Sequence, residues 1–561
     1  MPGSSLAAAI AWRCATRTKS TKALKGKGVP ACGAAPSDGI DDADQVLAGD
    51  GKAHYLKVTS MSNNGIRKVV IVGGGTAGWM TAAPLALKLG GRCEIVLVES
   101  PEIGTVGVGE ATLPTIRYFN HALGIDDADF VRKTQATFKL GIEFKDWGHV
   151  GNRFFHGFGD FGPPIDNRPA YMYWLRLSRA FKDMPSYEQW SMATAMARNN
   201  RFAPPHGELP SITDAYSYAY HFDASLYAAY LRDYAMQRGV ARIEGMIDGV
   251  EQHPETGFIT ALKLRDGRRV EGDLFVDCSG FRGLLIEGVF KAGYVDWSVM
   301  LPCNSAQAVP CAKAAQLTPY TTSTAKSAGW TWRIPLQHRT GNGHVYCDGF
   351  TTDEEAGRVL LDGLDGEALG EPRQLRFTTG RRRKAWIKNC VAIGLSSGFL
   401  EPLESTSINI IELAVGWLIQ YFPNRDCRPE LADEFNRLIT ERYEFVRDFI
   451  VLHYKVTERS DSAFWRYCAD MPIPDTLKHQ IELFRETGHM AIYDPQGFST
   501  SSYFSILMGL GVVPKQDDPL IDAMQFDQLL GHFASRREII TQTVKAMPEH
   551  AQHISQHCRA P

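Results

Sequence analysis

No run of about 18 consecutive apolar residues occurs anywhere in this chain, so the sequence offers no candidate membrane span. Its 11 cysteines include no Cys-x-x-Cys pair, and no zinc or other metal site is expected. There is little excess charge: 60 basic against 63 acidic residues gives −3, with no basic face to attract nucleic acid. The one basic run, Arg381-Arg382-Arg383-Lys384, reads as a solvated or anion-facing loop. Internal repeats and low-complexity tracts are absent from 61–561. Scattered cysteines in so large a chain point to a reducing compartment, with most of them packed in the interior.

Acid is also missing from the first 37 residues, which carry Arg13, Arg17, Lys19, Lys22, Lys25 and Lys27 among Ala, Ser and Gly. That composition fits a disordered transit peptide, and it fits equally a non-native leader placed before a start at Met61. Residues 1–60 are therefore set aside, and 61–561 is read as the folded part of the chain. The protein is cytoplasmic if 1–60 are not native, and organellar otherwise.

What the chain does have is apolar and aromatic mass, 44% and 11% of residues, enough for a large core. Ile66–Val72 reads as a buried strand, followed by Gly73-x-Gly75-Thr76-Ala77-Gly78 and a helical stretch from Trp79 to Leu89, with Pro84 expected to kink it. Glu94–Glu99 is a second buried strand, its last residue 21 positions after Gly78. Glycines there let the backbone approach a pyrophosphate at a helix N-terminus, and Glu99 is placed to bond the ribose of a dinucleotide. A glycine turn without ligand is the alternative. Two later strands end in glycine turns, one through Asp277 to Gly280 and one at Gly394-Leu395. Beyond about 405 the pattern turns helical, with Ile408–Tyr421 and Leu431–Tyr454 as long helices. Trp330-x-Trp332-x-Ile334-Pro335 puts two tryptophans on one side of a strand that the proline ends. By itself such a pair is a packed core or a site.

Together these motifs resemble the flavin-dependent halogenases of the tryptophan-halogenase family, over nearly all of 61–510. Ile71 to Met80 resembles the family's nucleotide fingerprint. Glu99 to Thr112 resembles the strap between flavin and substrate modules, with Val108 and Ala111 at flavin-contacting positions. Asp277 and Gly280 resemble a second flavin contact, and Gly394 and Leu395 join that set. Trp330, Trp332, Ile334 and Pro335 match the family signature. His156, Phe158, Phe464 and Trp465 match its aromatic substrate wall. Glu401 to Ser407 matches its catalytic segment, with Glu404 as the base and Thr406 and Ser407 at the halide.

The resemblance implies an α/β fold: a Rossmann-like FAD module of the flavin-monooxygenase type, about 61–420, interleaved with a helical substrate module mainly at 420–561. It implies FAD reduced by a separate flavin reductase, dioxygen, and chloride or bromide carried to an electron-rich, indole-type arene as hypohalous acid. Two bland readings stand beside it: Thr406 and Ser407 cap a helix, and Glu404 forms a salt bridge. A homodimer is left open.

Two departures stand out. The family's catalytic lysine is sought just after the strap, where the nearest cation is Arg117, or Tyr118 if the alignment slips by one. A guanidinium stays protonated, so Arg117 would orient hypohalous acid and not form a haloamine; pairing with a surface carboxylate is its other reading. Ahead of Phe464-Trp465, Ser460 stands where tryptophan halogenases hold the amino-acid ammonium with an acid, with Asp461 adjacent. That argues for indole or another arene over free tryptophan. A flavin monooxygenase that hydroxylates or epoxidises, and a flavin-binding protein without activity, are the competing functions.

Overall fold

Lys68–Val72 is apolar at four of its five positions because it is covered on both faces. Val69 and Ile71 point into one core and Val70 and Val72 into another, following the two-residue alternation of a strand. The computed structural model describes residues 64–102, 109–205, 216–491, 497–523 and 525–561, and 66–561 form one compact unit. The 1–60 extension and Val108 lie outside the described residues.

Lys68–Val72 sits inside a six-stranded sheet ordered Trp386–Ile387, Cys390–Ala392, Leu274–Asp277, Lys68–Val72, Glu94–Glu99, Ala241–Glu244. All neighbours run parallel except the edge strand Trp386–Ile387. Val72 lies opposite both Asp277 and Val98, and Asp277 opposite Ala392. This aligns the carboxyl ends of the central strands and brings the three glycine turns together where the chain reverses its direction of spread. The first helix spans Thr76–Leu89 and passes through Pro84 as one helix. Its buried face packs on the helices Ala224–Met236 and Ser407–Gln420.

A second, seven-stranded sheet runs in the order Arg373–Arg376, Ser305–Ala312, Arg339–Tyr346, Gly329–Pro335, Thr321–Lys326, Gly141–Lys145, Arg153–Gly157. The tryptophan pair lies in its middle strand, which ends at Pro335 opposite Thr340. A small antiparallel sheet joins Gly109–Ala111, Ala219–Asp223 and Thr137–Lys139, in that order. Past Gly398–Phe399 the described residues are helical, led by Ser407–Gln420 and the 27-residue Pro429–Lys455. The fold is thus the mixed α/β architecture with a helical C-terminal part that the sequence implies.

The basic run, expected as a solvated or anion-facing loop, lies partly in a strand, and its first two arginines do face anions, while Arg383 and Lys384 are exposed. Arg381 and Arg382 belong to the strand Gly380–Arg382 and are held by Glu444 (2.7 Å) and Glu287 (2.8 Å). Eight of the nine described cysteines are buried, and none of the nine is in a disulfide. His553 and His557, one turn apart on the last helix, place their rings 4.7 Å apart; no group of three or more metal-binding side chains occurs among the described residues.

Candidate active site

The glycine turn after Lys68–Val72 has the shape a dinucleotide needs. Gly73 adopts φ +110°, and a Cβ there would lie 2.3 Å from the Cys278 carbonyl of the neighbouring turn. At Gly75 a Cβ would meet nothing within 4 Å, so that side of the turn is open. Gly75 caps the helix Thr76–Leu89 without a side-chain bond, leaving the amides of the first turn, at Thr76, Ala77 and Gly78, without an acceptor inside the helix. A donor cradle beside open space fits a pyrophosphate. Glu99 ends the second strand beside Gly74, one oxygen held by Arg242. Gly394, at φ +78°, packs on Ala77, and Leu395 follows, part-exposed, in the same short turn. The side chain of Asp277 is engaged within the protein. Its carboxylate accepts from the Ser279 amide and hydroxyl and from the Leu285 and Ile286 amides at 2.6–3.0 Å, so it builds the turn that carries Gly280.

The second group of chemistry-bearing residues lies in Glu401–Ser407. Pro402–Glu404 is a short 3-10 turn, Ser405 takes the left-handed conformation at φ +61°, and a 14-residue helix begins at Ser407. Glu404 is fully buried. Its Oε1 lies 2.9 Å from His453 Nε2, and its Oε2 lies 2.9 Å from His156 Nδ1. Burial works to raise its pKa, but the attraction and hydrogen bonds of the two histidines outweigh it and bring the carboxyl down to about 2. Glu401, three residues earlier, is also fully buried, yet its Oε2 accepts only neutral donors: Trp330 Nε1 at 2.8 Å and the Tyr454 hydroxyl at 2.7 Å. Burial therefore prevails and pushes it up to about 7. Two glutamates on one turn are driven apart by what donates to them, an arrangement typical of acid–base sites.

The cation at this turn is Lys139, not Arg117. Lys139 ends the strand Thr137–Lys139 and is fully buried, with Nζ 2.7 Å from Ser405 Oγ and 3.1 Å from the Thr112 carbonyl. Burial pulls its pKa down to about 7 against the opposing pull of Glu404. Its strand is pinned from behind, where the Phe138 amide donates to His550 Nε2 and Thr137 Oγ1 meets His221 Nδ1. Arg117, on the helix Thr115–Ala122, instead lays its guanidinium 3.8 Å over the Tyr218 ring. Tyr118, the other alignment choice, is two-thirds exposed. Lys139 escaped the sequence reading because the lysine was sought just after the strap, near Arg117, and Lys139 lies 22 residues further on. A lone lysine in the apolar stretch Ala136-Thr-Phe-Lys-Leu-Gly-Ile was the available signal.

Thr406 precedes the helix Ser407–Gln420, whose first bond runs from the Ile410 amide to the Thr406 carbonyl. The amides ahead of it have no acceptor within the helix. Thr406 makes no side-chain cap, and its Oγ1 is buried with no hydrogen-bond partner. The expectation of a capping threonine is not met, and the Thr406 hydroxyl is left with its hydrogen-bonding capacity unused by the protein.

The model of the family described as tryptophan halogenase matches residues 68–526. The chain belongs to this family. A tryptophan 6-halogenase of Streptomyces albogriseolus, ThaL, is 38% identical over 82% of this chain and 92% of its own. A tryptophan 7-halogenase of Lentzea aerocolonigenes, RebH, is 34% identical over 86% and 98%. Among solved structures, the flavin-dependent halogenase BrvH of Brevundimonas sp. BAL3 is 46% identical with TM-score 0.85, covering 88% of this chain and 99% of that one. Xcc4156 of Xanthomonas campestris, also a flavin-dependent halogenase, is 44% identical with TM-score 0.85 over 89% and 99%. The protein is thus a flavin-dependent halogenase that uses FAD, supplied reduced by a separate flavin reductase, and halide.

In this halogenase the residues expected to form the substrate wall divide into two groups. His156 and Phe158 stand at the Glu404 turn: His156 bonds the carboxylate, and Lys139 Nζ lies 5.1 Å over the Phe158 ring. Phe464 and Trp465 are fully buried and meet the Glu404 turn through Trp147, which packs on both Trp465 and His453. Trp465 donates to the Lys326 carbonyl at 2.7 Å, and Tyr454, Trp147 and Arg459 pack around its ring. The halogenase signature acts in the same cluster. Trp330 holds Glu401, Trp332 packs 6.0 Å from Trp330 on the bare backbone of Gly343, and Ile334 packs beside Gly109. The sequence reading missed His453, which lies in the uninterrupted buried helical run Phe449–Tyr454.

Proposed function

We propose that this halogenase transfers chloride or bromide, as hypohalous acid, to an electron-rich indole-type arene lacking an amino-acid ammonium, with Glu404 as the base. The buried Glu404 carboxylate, ionised by two histidines beside a lysine, is the observation that supports this best. When bound, reduced FAD with dioxygen supplies the oxidising equivalent that converts halide to hypohalous acid. Gly73, Gly75, the amides at Thr76 to Gly78, Glu99, Gly280, Gly394 and Leu395 would hold that cofactor, with Ala111 and Val108 in the strap. Thr406, Ser407 and the free helix amides would hold the halide, since an anion there meets both donors and the positive helix end. Lys139 uses two of its donors on Thr112 and Ser405, leaving a third for the oxygen of hypohalous acid.

The loop ahead of Phe464 supports an arene over free tryptophan. Its carboxylate, Asp461, is tied bidentately to Arg459 at 2.8 and 2.9 Å, and Ser460 carries no charge, so neither serves an ammonium group. Turnover with FAD, NADH, a flavin reductase and bromide, read by mass spectrometry, should give brominated indole. With tryptophan, kcat/KM should be lower by about tenfold or more, the scale of one missing charged hydrogen bond. Equal use of tryptophan would overturn the substrate reading; oxygenated, halogen-free product would restore the monooxygenase alternative.

Thr406→Val removes a hydroxyl that no protein group uses. It should leave the melting temperature unchanged while raising the KM for bromide by about tenfold, the value of one hydrogen bond to an anion. Steady-state titration with bromide checks this, and an unchanged KM would leave Thr406 a packing residue.

A further inference from the structure

His453 sits on the long helix Pro429–Lys455, and its ring is set by its own helix. The Phe449 carbonyl, four residues back, lies 2.8 Å from Nδ1. A carbonyl only accepts, so Nδ1 carries a hydrogen. Nε2 is then the nitrogen presented to Glu404 Oε1 at 2.9 Å. That contact holds one proton between imidazole and carboxyl. From the edge strand Arg153–Gly157, His156 reaches the other oxygen at 2.9 Å and Oε1 at 3.1 Å through Nδ1. Both histidines are at most 2% exposed, and Phe144, Trp147 and Phe449 close around the His453 ring. The titratable groups facing Glu404 are therefore His156, His453 and Lys139, each from a different element. Glu401 turns the opposite way, to Trp330 and Tyr454.

We propose that His453 is a positioning residue that, paired with His156, clamps both oxygens of Glu404 and keeps the carboxylate charged and separate from Lys139. This rests on the reading of Glu404 as the base. In the step it serves, the ring C–H bond of the halogenated arene breaks, its electron pair returns to the ring, and the proton passes to a Glu404 oxygen. A carboxylate buried without such donors would favour its neutral form and could not accept that proton. A carboxylate without the clamp would also turn to the nearest cation, Lys139, and occupy the donor that hypohalous acid needs. The contrast with Glu401, which has neutral donors alone and is pushed up to about 7, marks what the histidines change.

The test is the pH dependence of single-turnover halogenation in His453→Gln and His453→Phe, beside Glu404→Gln, in FAD-loaded protein. FAD binding and melting temperature establish that each variant is folded. Glutamine can donate to Oε1 but cannot carry the charge; phenylalanine does neither. The acid limb should move up by about one pH unit or more in both variants. His453→Gln should recover to within about tenfold of the parent at alkaline pH, and His453→Phe should stay about 10²-fold down with the arene KM changed less than about threefold. Profiles that superimpose on the parent after scaling would show that His453 only fills space, and His453→Gln decides the matter if His453→Phe does not fold. If Glu404→Gln is inactive while the His453 profiles are unshifted, this inference alone fails. An active Glu404→Gln would remove the base reading beneath it.

Discussion

Glu404→Gln is expected to retain FAD, to fold, and to lose halogenated product by about 10²- to 10⁴-fold, the usual contribution of a positioned base. Glutamine matches the shape of glutamate and can keep one hydrogen bond to the histidines, but its amide cannot take the ring proton. The wild-type carboxylate is fully buried, so this loss is not open to rescue by water at the same position. Glu404 lies three residues from Glu401, whose replacement acts on the aromatic cluster and not on the proton. The check is product formation by mass spectrometry alongside flavin fluorescence. Hypohalous acid should still form and leak from the variant, so NADH and oxygen consumption continue while product falls. Unchanged turnover would remove Glu404 from the mechanism.

Lys139→Met should cost about 10²-fold or more in product, whereas Arg117→Lys should leave activity within about twofold, since effects away from a reacting group are small. Methionine preserves the length and apolar stem of lysine, so the change tests the ammonium alone. It leaves Ser405 and the Thr112 carbonyl without their donor, and part of the effect will appear as lost stability. Melting temperature separates that part from the rate. The pH profile divides two roles for the lysine. Its pKa is drawn down to about 7, so the ammonium predominates below that pH and the amine above it. Orientation of hypohalous acid by an N–H requires the protonated form, and activity through Lys139 then falls as pH rises through about 7. Haloamine formation requires the free amine and gives the opposite slope. A large loss in Arg117→Lys with none in Lys139→Met would reverse the assignment.

The tryptophan signature acquires a physical account from the structure. Its strand is central in the seven-stranded sheet, and the two rings do separate jobs. Trp330 donates to a buried carboxylate, and Trp332 fills the space that Gly343 leaves empty. The same cluster absorbs Phe464 and Trp465, which the resemblance assigns to substrate.

The sequence by itself determined the architecture and pointed to the turn on which the candidate site is built. Strands apolar on both faces, the glycine spacing and Glu99 can specify a dinucleotide module because each is a local or short-range pattern, read by the two-residue and 3.6-residue periods. Glu404, Thr406 and Ser407 came from the resemblance of one short segment, Glu401 to Ser407, to the family's catalytic turn, and one turn entering one helix carries all three. Only the tertiary structure decided which cation and which donors meet Glu404. Lys139, His156 and His453 come from two different sheets and the long helix, separated by up to 314 residues along the chain. No local pattern records that convergence; it is set by how the strand Thr137–Lys139, the edge strand Arg153–Gly157 and the helix Pro429–Lys455 close around one buried carboxylate. Charge in a low-dielectric interior depends on its nearest partners, and those partners are chosen by packing.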